Sequence, residues 1–511
     1  MSLLASTLFL QRRTGVLLHP TALHGEPGEG PLGQPGITFL DFLAAARVGV
    51  WQMLPIHPVH ADLSPYQPLS LFAGGEHLMC LRSFGPQARR SAGAAPARGQ
   101  ARTVRREALA LIEAGNAETA AFEGYCARER HWLKAYAAFR LLRARHHGRA
   151  WPDWPADWRA SARDAIARLE REAPTDLAVE QAVQFLFERQ WQALHAAAAA
   201  RGVLLFGDLP MYPALDSAEV WAQPHLFRID HAGRPLEAGG APPDAFNRDG
   251  QRWGGAVYDW QAIADDGYRW WCARLERQSR LFDLLRLDHF RGFQAWWSIP
   301  AEATSAAAGC WNPGPGRALF ERLAEVPGLK PLVAEDLGDI TPEVEGLRVE
   351  LGLPGTRVLQ FAFDGNPDNP HLPQNYGEDT AAYTGTHDND TTLGWWCGQD
   401  EDTRSRVRAW VGEGAMPWPL IRVLFESRAA LAVLPMQDVL ALGGEARFNV
   451  PGTVGGNWIW RMPANMLDPA VVARLGEMVA ASRRGIGTLP TAHSQHTGGA
   501  SVGQTPEAGE P

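Results

Sequence analysis

The chain has 511 residues, a formal charge of −9 and an apolar fraction of 45%. That length suits one large domain with insertions or several smaller ones, and the acidic balance offers no basic face to nucleic acid. Five scattered cysteines (Cys80, Cys126, Cys272, Cys310 and Cys397), without a C-x-x-C pair, argue against a disulfide framework and a zinc site and for a reducing compartment.

In chain order, residues 1–10 are apolar but too short and wrongly flanked for a signal peptide. No stretch approaches the ~18 apolar residues of a membrane span, so a cytoplasmic protein with no membrane partner is expected. Residues 15–20 predict a buried strand stopped by Pro20, and residues 39–46 a helix with Phe39, Phe42 and Leu43 on one stripe. A second strand is expected over 50–56, followed by a loop that presents Tyr66 on the Pro-stiffened turn Ser64-Pro65-Tyr66-Gln67. From about 75 to 200 the pattern turns helical, with Phe122, Tyr125, Trp132, Tyr136 and Phe139, then Val179, Val183, Phe187, Trp191 and Leu194, at the spacing of core stripes. Residues 88–102 within it are rich in Ala, Gly and Arg and read as mobile.

Strand rhythm resumes at 203–208, 284–288, 332–336, 356–363, 381–386 and 430–435, with helical segments such as 267–282 and 403–412 between them. Eight short apolar strands alternating with helices predict an α/β fold: a (β/α)8 TIM barrel with a helical insertion and long loops on its catalytic face. A doubly wound sheet would carry a Gly-rich phosphate loop after its first strand, and the sequence has none there. The expected division is 1–75 for the first part of the barrel and 76–200 for a mostly helical inserted subdomain. Residues 201–482 complete the barrel with its lid and substrate loops, and 483–511, rich in Gly, Thr, Ser and Pro, form a disordered tail.

Four of the expected strands end in or lead into acids: Asp208, Asp288, Glu335 and Asp388. In a barrel these converge on one face. Arg286, two residues before Asp288, points to the same side of an extended strand and would keep that carboxylate ionised. Two chemistries suit such a cluster. One is a divalent-metal site of the enolase kind, opposed by the lack of a lysine at any strand end and by Arg286, which would compete with a cation. The other places two carboxylates ~5 Å apart about a glycosidic bond, one as nucleophile and one as proton donor. A third acid then stabilises the positive charge of the transition state. Twenty tryptophans, four of them in Gly/Pro-rich loops (Trp253, Trp311, Trp458 and Trp460), favour a sugar ligand, because flat aromatic faces pack on the C–H faces of sugar rings.

The motifs Arg-x-Asp-His-Phe-Arg-Gly at 286–292, Ala-Glu-Asp-Leu-Gly at 334–338 and Thr-Gly-Thr-His-Asp-Asn-Asp-Thr at 384–391 resemble those of the 4-α-glucanotransferases. These are the amylomaltases or disproportionating enzymes, glycoside hydrolase family 77 of the α-amylase clan. The resemblance extends through Val16–Thr21, Ser64–Gln67, Gly207–Pro210, Pro242–Asp244, Gly250–Gly254 and Asn449–Thr453, in family order, over about residues 12–480. It implies Asp288 as nucleophile, Glu335 as general acid/base and Asp388 as transition-state stabiliser. It also implies that Tyr66, Asp208, Trp253, Arg286, Asp364 and His387 line the sugar subsites, with Asn457 in a second glucan-contacting loop.

The implied reaction uses no metal and no cofactor. Its partners would be α-1,4-glucans and maltooligosaccharides, with glucose as an acceptor, acted on by a monomer or simple homo-oligomer. An amylase-type hydrolase and a catalytically silent glucan-binding protein are the rival readings. The chain departs from family motifs at His60–Leu63, at Gly75-Glu76-His77 and at Gly254-Gly255-Ala256. Residues 239–258 are expected to form a lid. Its hinges would be Gly239-Gly240 and Gly254-Gly255, Pro242-Pro243 its stiff arm, and Phe246 and Trp253 its apolar faces.

Overall fold

A computed structural model describes residues 3–26, 28–84, 96–243 and 249–486. Its strands, in chain order, are β1 (Arg13–Leu17), β2 (Val50–Gln52), β3 (Leu204–Leu209), β4 (Glu237–Ala241), β5 (Gln251–Ala256) and β6 (Leu284–Leu287). There follow β7 (Ala295–Pro300), β8 (Cys310–Pro313), β9 (Leu332–Ala334), β10 (Gly355–Val358), β11 (Thr380–Tyr383) and β12 (Leu431–Pro435). Eight of them pair in parallel in the order β10-β11-β12-β1-β2-β3-β6-β9. All eight expected strands are present, and they follow one another around the barrel as they do along the chain. Apart from Arg357, every residue in these strands is buried. Their apolar side chains are covered by the barrel interior on one face and by helices on the other, which is why the strands read as unbroken apolar runs.

The two ends of this order meet at a seam. Ala334 N donates to Pro354 O at 2.9 Å, and Thr356 Oγ1 to Ala334 O at 2.9 Å. Asp336, buried beside it, accepts from Thr356 N at 2.5 Å and from Arg357 at 3.1 Å, with Arg348 3.4 Å away. An ionic clasp therefore closes the barrel where the strand ladder does not.

Helices Pro96–Glu113, Ala117–Arg128, Leu133–Arg145, Ala162–Glu172 and Pro174–Ala200 occupy the helical interval. Phe122, Tyr125, Trp132, Tyr136 and Phe139 are buried, as are Val183, Phe187, Trp191 and Leu194. Glu76, in one of the departing motifs, pairs with Arg140 at 2.7 Å and Arg105 at 3.2 Å, tying these helices to the barrel.

Two expectations need correction. Among its described residues, the interval 239–258 is not a hinged loop. It contributes β4 and β5 to an antiparallel sheet of order β5-β4-β7-β8. None of Gly239, Gly240, Gly254 and Gly255 has a positive φ. A Cβ on Gly240 would strike Gln251 O, and one on Gly239 or Gly255 would sit 2.7 Å from the Tyr212 side chain. These three glycines permit close packing and are not pivots. Asp244 and Phe246 lie outside the described residues. Arg484, which falls in the expected tail, is buried and donates to Phe425 O at 2.8 Å and Ser427 O at 2.7 Å. Residues 487–511 lie outside the described residues, as do 88–95 of the segment expected to be mobile. Among the described residues no helix is long and apolar enough to cross a membrane.

Candidate active site

The register of β3 and β6 sets Asp208 beside Arg286, and that of β6 and β9 sets Arg286 beside Val333. Neighbours in a parallel ladder point to the same side, so a guanidinium from the central strand reaches both flanks. Arg286 Nη1 donates to both oxygens of Asp208 at 2.9 Å and to Asp288 Oδ1 at 2.9 Å, and Nη2 lies 3.7 Å from Glu335 Oε2. Asp288 Oδ2 faces the Met211 amide at 3.4 Å. Glu335 accepts from His289 N at 2.7 Å and Leu337 N at 3.1 Å. His289 holds a left-handed backbone, φ 48°, which is costly for a non-glycine residue and aims its amide at that carboxyl.

One guanidinium cannot neutralise three carboxylates. Burial pushes the Glu335 pKa up to about 8, against the pull of Arg286 and with the push of Asp288. Burial likewise raises Asp208, to about 7, although Arg286 and the Tyr66 hydroxyl at 2.9 Å oppose it. The closer contacts of Asp208 with the guanidinium make it the member that keeps its charge, and Glu335 the one that keeps a proton. The cluster thus sets the Asp288 carboxyl, held at both oxygens, beside a buried Glu335 carboxyl that burial biases toward its protonated form.

Asp388 approaches from the loop after β11, its side chain 45% exposed. Asn449 Nδ2 donates to its Oδ1 at 2.6 Å, His387 Nε2 lies 3.3 Å away, and Arg447 donates to its backbone carbonyl at 2.6 Å. His387 is buried, which lowers its pKa, and stacks on Tyr66 with centroids 5.2 Å apart. Trp253 on β5 stands edge-on to His289 at 4.6 Å, with Nε1 on Gln251 Oε1 at 3.0 Å.

A family model described as 4-alpha-glucanotransferase matches residues 18–467. The chain belongs to the 4-α-glucanotransferase family. It is 43% identical over 502 residues to the 4-alpha-glucanotransferase of Thermus thermophilus, covering 93% of this chain and 99% of that protein. It is 39% identical over 480 residues to the chloroplastic/amyloplastic 4-alpha-glucanotransferase DPE1 of Arabidopsis thaliana, covering 89% of this chain and 82% of that one. The amylomaltase from Streptococcus agalactiae in complex with acarbose superposes with a TM-score of 0.87 at 31% identity, over 93% of this chain and 100% of that one.

Within this 4-α-glucanotransferase, Tyr66, Asp208, Arg286, Asp288 and Glu335 form one contact network, joined by His387 and Asp388 through the Tyr66 stack. Trp253 borders it through His289, and two expected residues lie apart from it. Asp364 is exposed and accepts from Asn366 N at 2.9 Å, an Asx turn of its own loop. Asn457 accepts from Val450 N at 2.9 Å and donates to Thr453 O at 3.2 Å, so it braces the 450–457 loop. Asn449 and Arg447, which hold Asp388, were not expected as site residues. A chain signal for Asn449 existed in the motif Asn449–Thr453, but nothing local shows that its amide turns back onto an acid 61 residues earlier.

Proposed function

We propose that this 4-α-glucanotransferase cleaves α-1,4-glucans by retaining double displacement, with Asp288 as nucleophile, Glu335 as acid/base and Asp388 as stabiliser of the charged transition state. The Asp288 carboxylate attacks the anomeric carbon while the bond to the leaving 4-oxygen breaks and takes the Glu335 proton. The 4-hydroxyl of an acceptor glucan or glucose then gives its proton to Glu335, bonds to the same carbon and releases Asp288. Asp208, Arg286, Tyr66 and His387 would hold the donor sugar at the cleavage point. Trp253 would face the acceptor, and Asp364 and Asn457 would meet the chain farther from that point.

The observation that carries this reading is the arrangement around Arg286: an Asp288 carboxyl held at both oxygens and, 3.7 Å from the same guanidinium, the buried carboxyl of Glu335. A nucleophile and an acid side by side are what a retaining mechanism requires. With maltotriose as both donor and acceptor, the products are glucose and longer oligosaccharides. A folded Asp288→Asn variant should lose about 10⁴-fold or more in transfer rate, and near-native rates in that variant overturn the assignment.

A further inference from the structure

Arg274, on the helix Arg269–Leu281 that precedes β6, is 1% exposed, and among the described residues it forms no ion pair. Its guanidinium lies 4.8 Å from the Trp271 ring and 5.8 Å from that of Trp270. Burial lowers its pKa, while Tyr258, Glu219 and Asp288 raise it. A buried cation without a paired anion is costly, and a structural side chain of the same volume would avoid that cost.

The contacts of Arg274 show what the guanidinium holds. Nη2 donates to Pro210 O, and Nη1 lies 3.3 Å from the Tyr258 hydroxyl, which in turn donates to Met211 O at 2.9 Å. Both carbonyls of the turn after β3 are therefore held from behind, one directly and one through Tyr258. The front of the same turn faces the nucleophile: the Met211 amide points at Asp288 Oδ2 from 3.4 Å, and the Asp288 amide donates to Leu209 O at 3.2 Å. Arg286 holds Oδ1 of the same carboxylate. Oδ2 thus depends on a peptide whose orientation is set by Arg274.

We infer that Arg274 is a positioning residue for the nucleophile, acting through Tyr258 and the Pro210-Met211 peptides to aim the Asp288 carboxylate. This rests on the reading of Asp288 as nucleophile. Tyr258 closes the segment that carries β5 and Trp253, so the same relay ties the antiparallel sheet to the nucleophile's turn.

The test follows covalent trapping by a fluorinated α-glucosyl fluoride, read by intact mass in the full-length protein. Wild type should accumulate one adduct, located on Asp288. Arg274→Met and Tyr258→Phe should reach the same final stoichiometry but accumulate it more slowly, by about 10- to 100-fold for Arg274→Met and less for Tyr258→Phe. Arg274→Lys, which keeps the charge without the fork, should fall between Arg274→Met and wild type. A purely structural role lowers the fraction that can be trapped and leaves the rate per trapped molecule unchanged, and that result overturns the inference. Should Arg274→Met not fold, Arg274→Gln decides in its place, since its shorter, uncharged side chain cannot hold both Pro210 O and the Tyr258 hydroxyl, and an unchanged rate per trapped molecule in it overturns the inference. An adduct on another residue in wild type instead overturns the nucleophile assignment.

Discussion

The protonation of Glu335 can be followed through to a measured rate. With its pKa at about 8 against 4.5 for an unshifted glutamate, about nine-tenths of the enzyme carries the acid proton at pH 7, where an unshifted group would carry about three in a thousand. The net shift, burial and Asp288 against the pull of Arg286, thereby raises the protonated fraction about 300-fold. The alkaline limb of kcat/KM on maltotriose should bend near pH 8, and Glu335→Gln should abolish that bend. The variant should lose about 10²- to 10⁴-fold on maltotriose, yet retain most of its first-step rate on an α-glucosyl fluoride, whose leaving group needs no proton. Added azide should restore turnover from the trapped intermediate. The same shift bears on stability. The folded pKa lies above the unfolded one, so between about pH 4.5 and 8 the folded protein holds a proton that the unfolded chain has lost, and stability falls as pH rises through that window. An alkaline limb near pH 5, or equal losses on both donors in Glu335→Gln, refutes the assignment.

Asn449→Ala removes the amide that holds the half-exposed Asp388 at 2.6 Å, and kcat should fall about 10²-fold with little change in KM; an unchanged kcat in steady-state transfer assays sinks the role. Trp253→Ala should lower transfer more than hydrolysis, read as free glucose released per bond broken, and an equal fall in both assigns Trp253 to donor binding or stability instead. Gly240→Ala drives a methyl against Gln251 O and to within 2.6 Å of Ile299 Cδ1, so it should cost about 2 kcal/mol or more in thermal unfolding. An unaltered melting temperature would mean that β4 yields more easily than its pairing on both edges implies.

The barrel could be read in advance because each of its strands is buried on both faces and leaves a plain apolar run. The convergence of Asp208, Asp288 and Glu335 followed from that alone, together with the rule that polar residues gather at strand ends. The antiparallel sheet left no such trace. β4 reads Glu-Ala-Gly-Gly-Ala and β5 Gln-Arg-Trp-Gly-Gly-Ala, compositions with low strand propensity, and the glycines answer to the Tyr212 ring and the Gln251 carbonyl, which are distant in sequence. Asp336 and Glu335 look interchangeable as adjacent acids, but alternation along the chain sends one into the seam and the other into the site. Arg274 carries no local signal at all, since a helical arginine is ordinarily a solvated one.

The seam between β9 and β10 has a mechanical consequence. Asp288 is fastened by ladders on both flanks of β6, to β3 and to β9, whereas Glu335 stands on a strand with a ladder on one flank and the Asp336 clasp on the other. Glu335 and Asp288 are therefore mounted differently, one braced by ladders on a single flank and the other on both. A change at Arg348 or Arg357 acts on the Asp336 clasp, and so reaches Glu335 by a shorter route than Asp288. On the proposed mechanism, substitutions there should alter the spacing of the two carboxyls, and with it the balance between bond cleavage and resealing, from outside the carboxylate cluster.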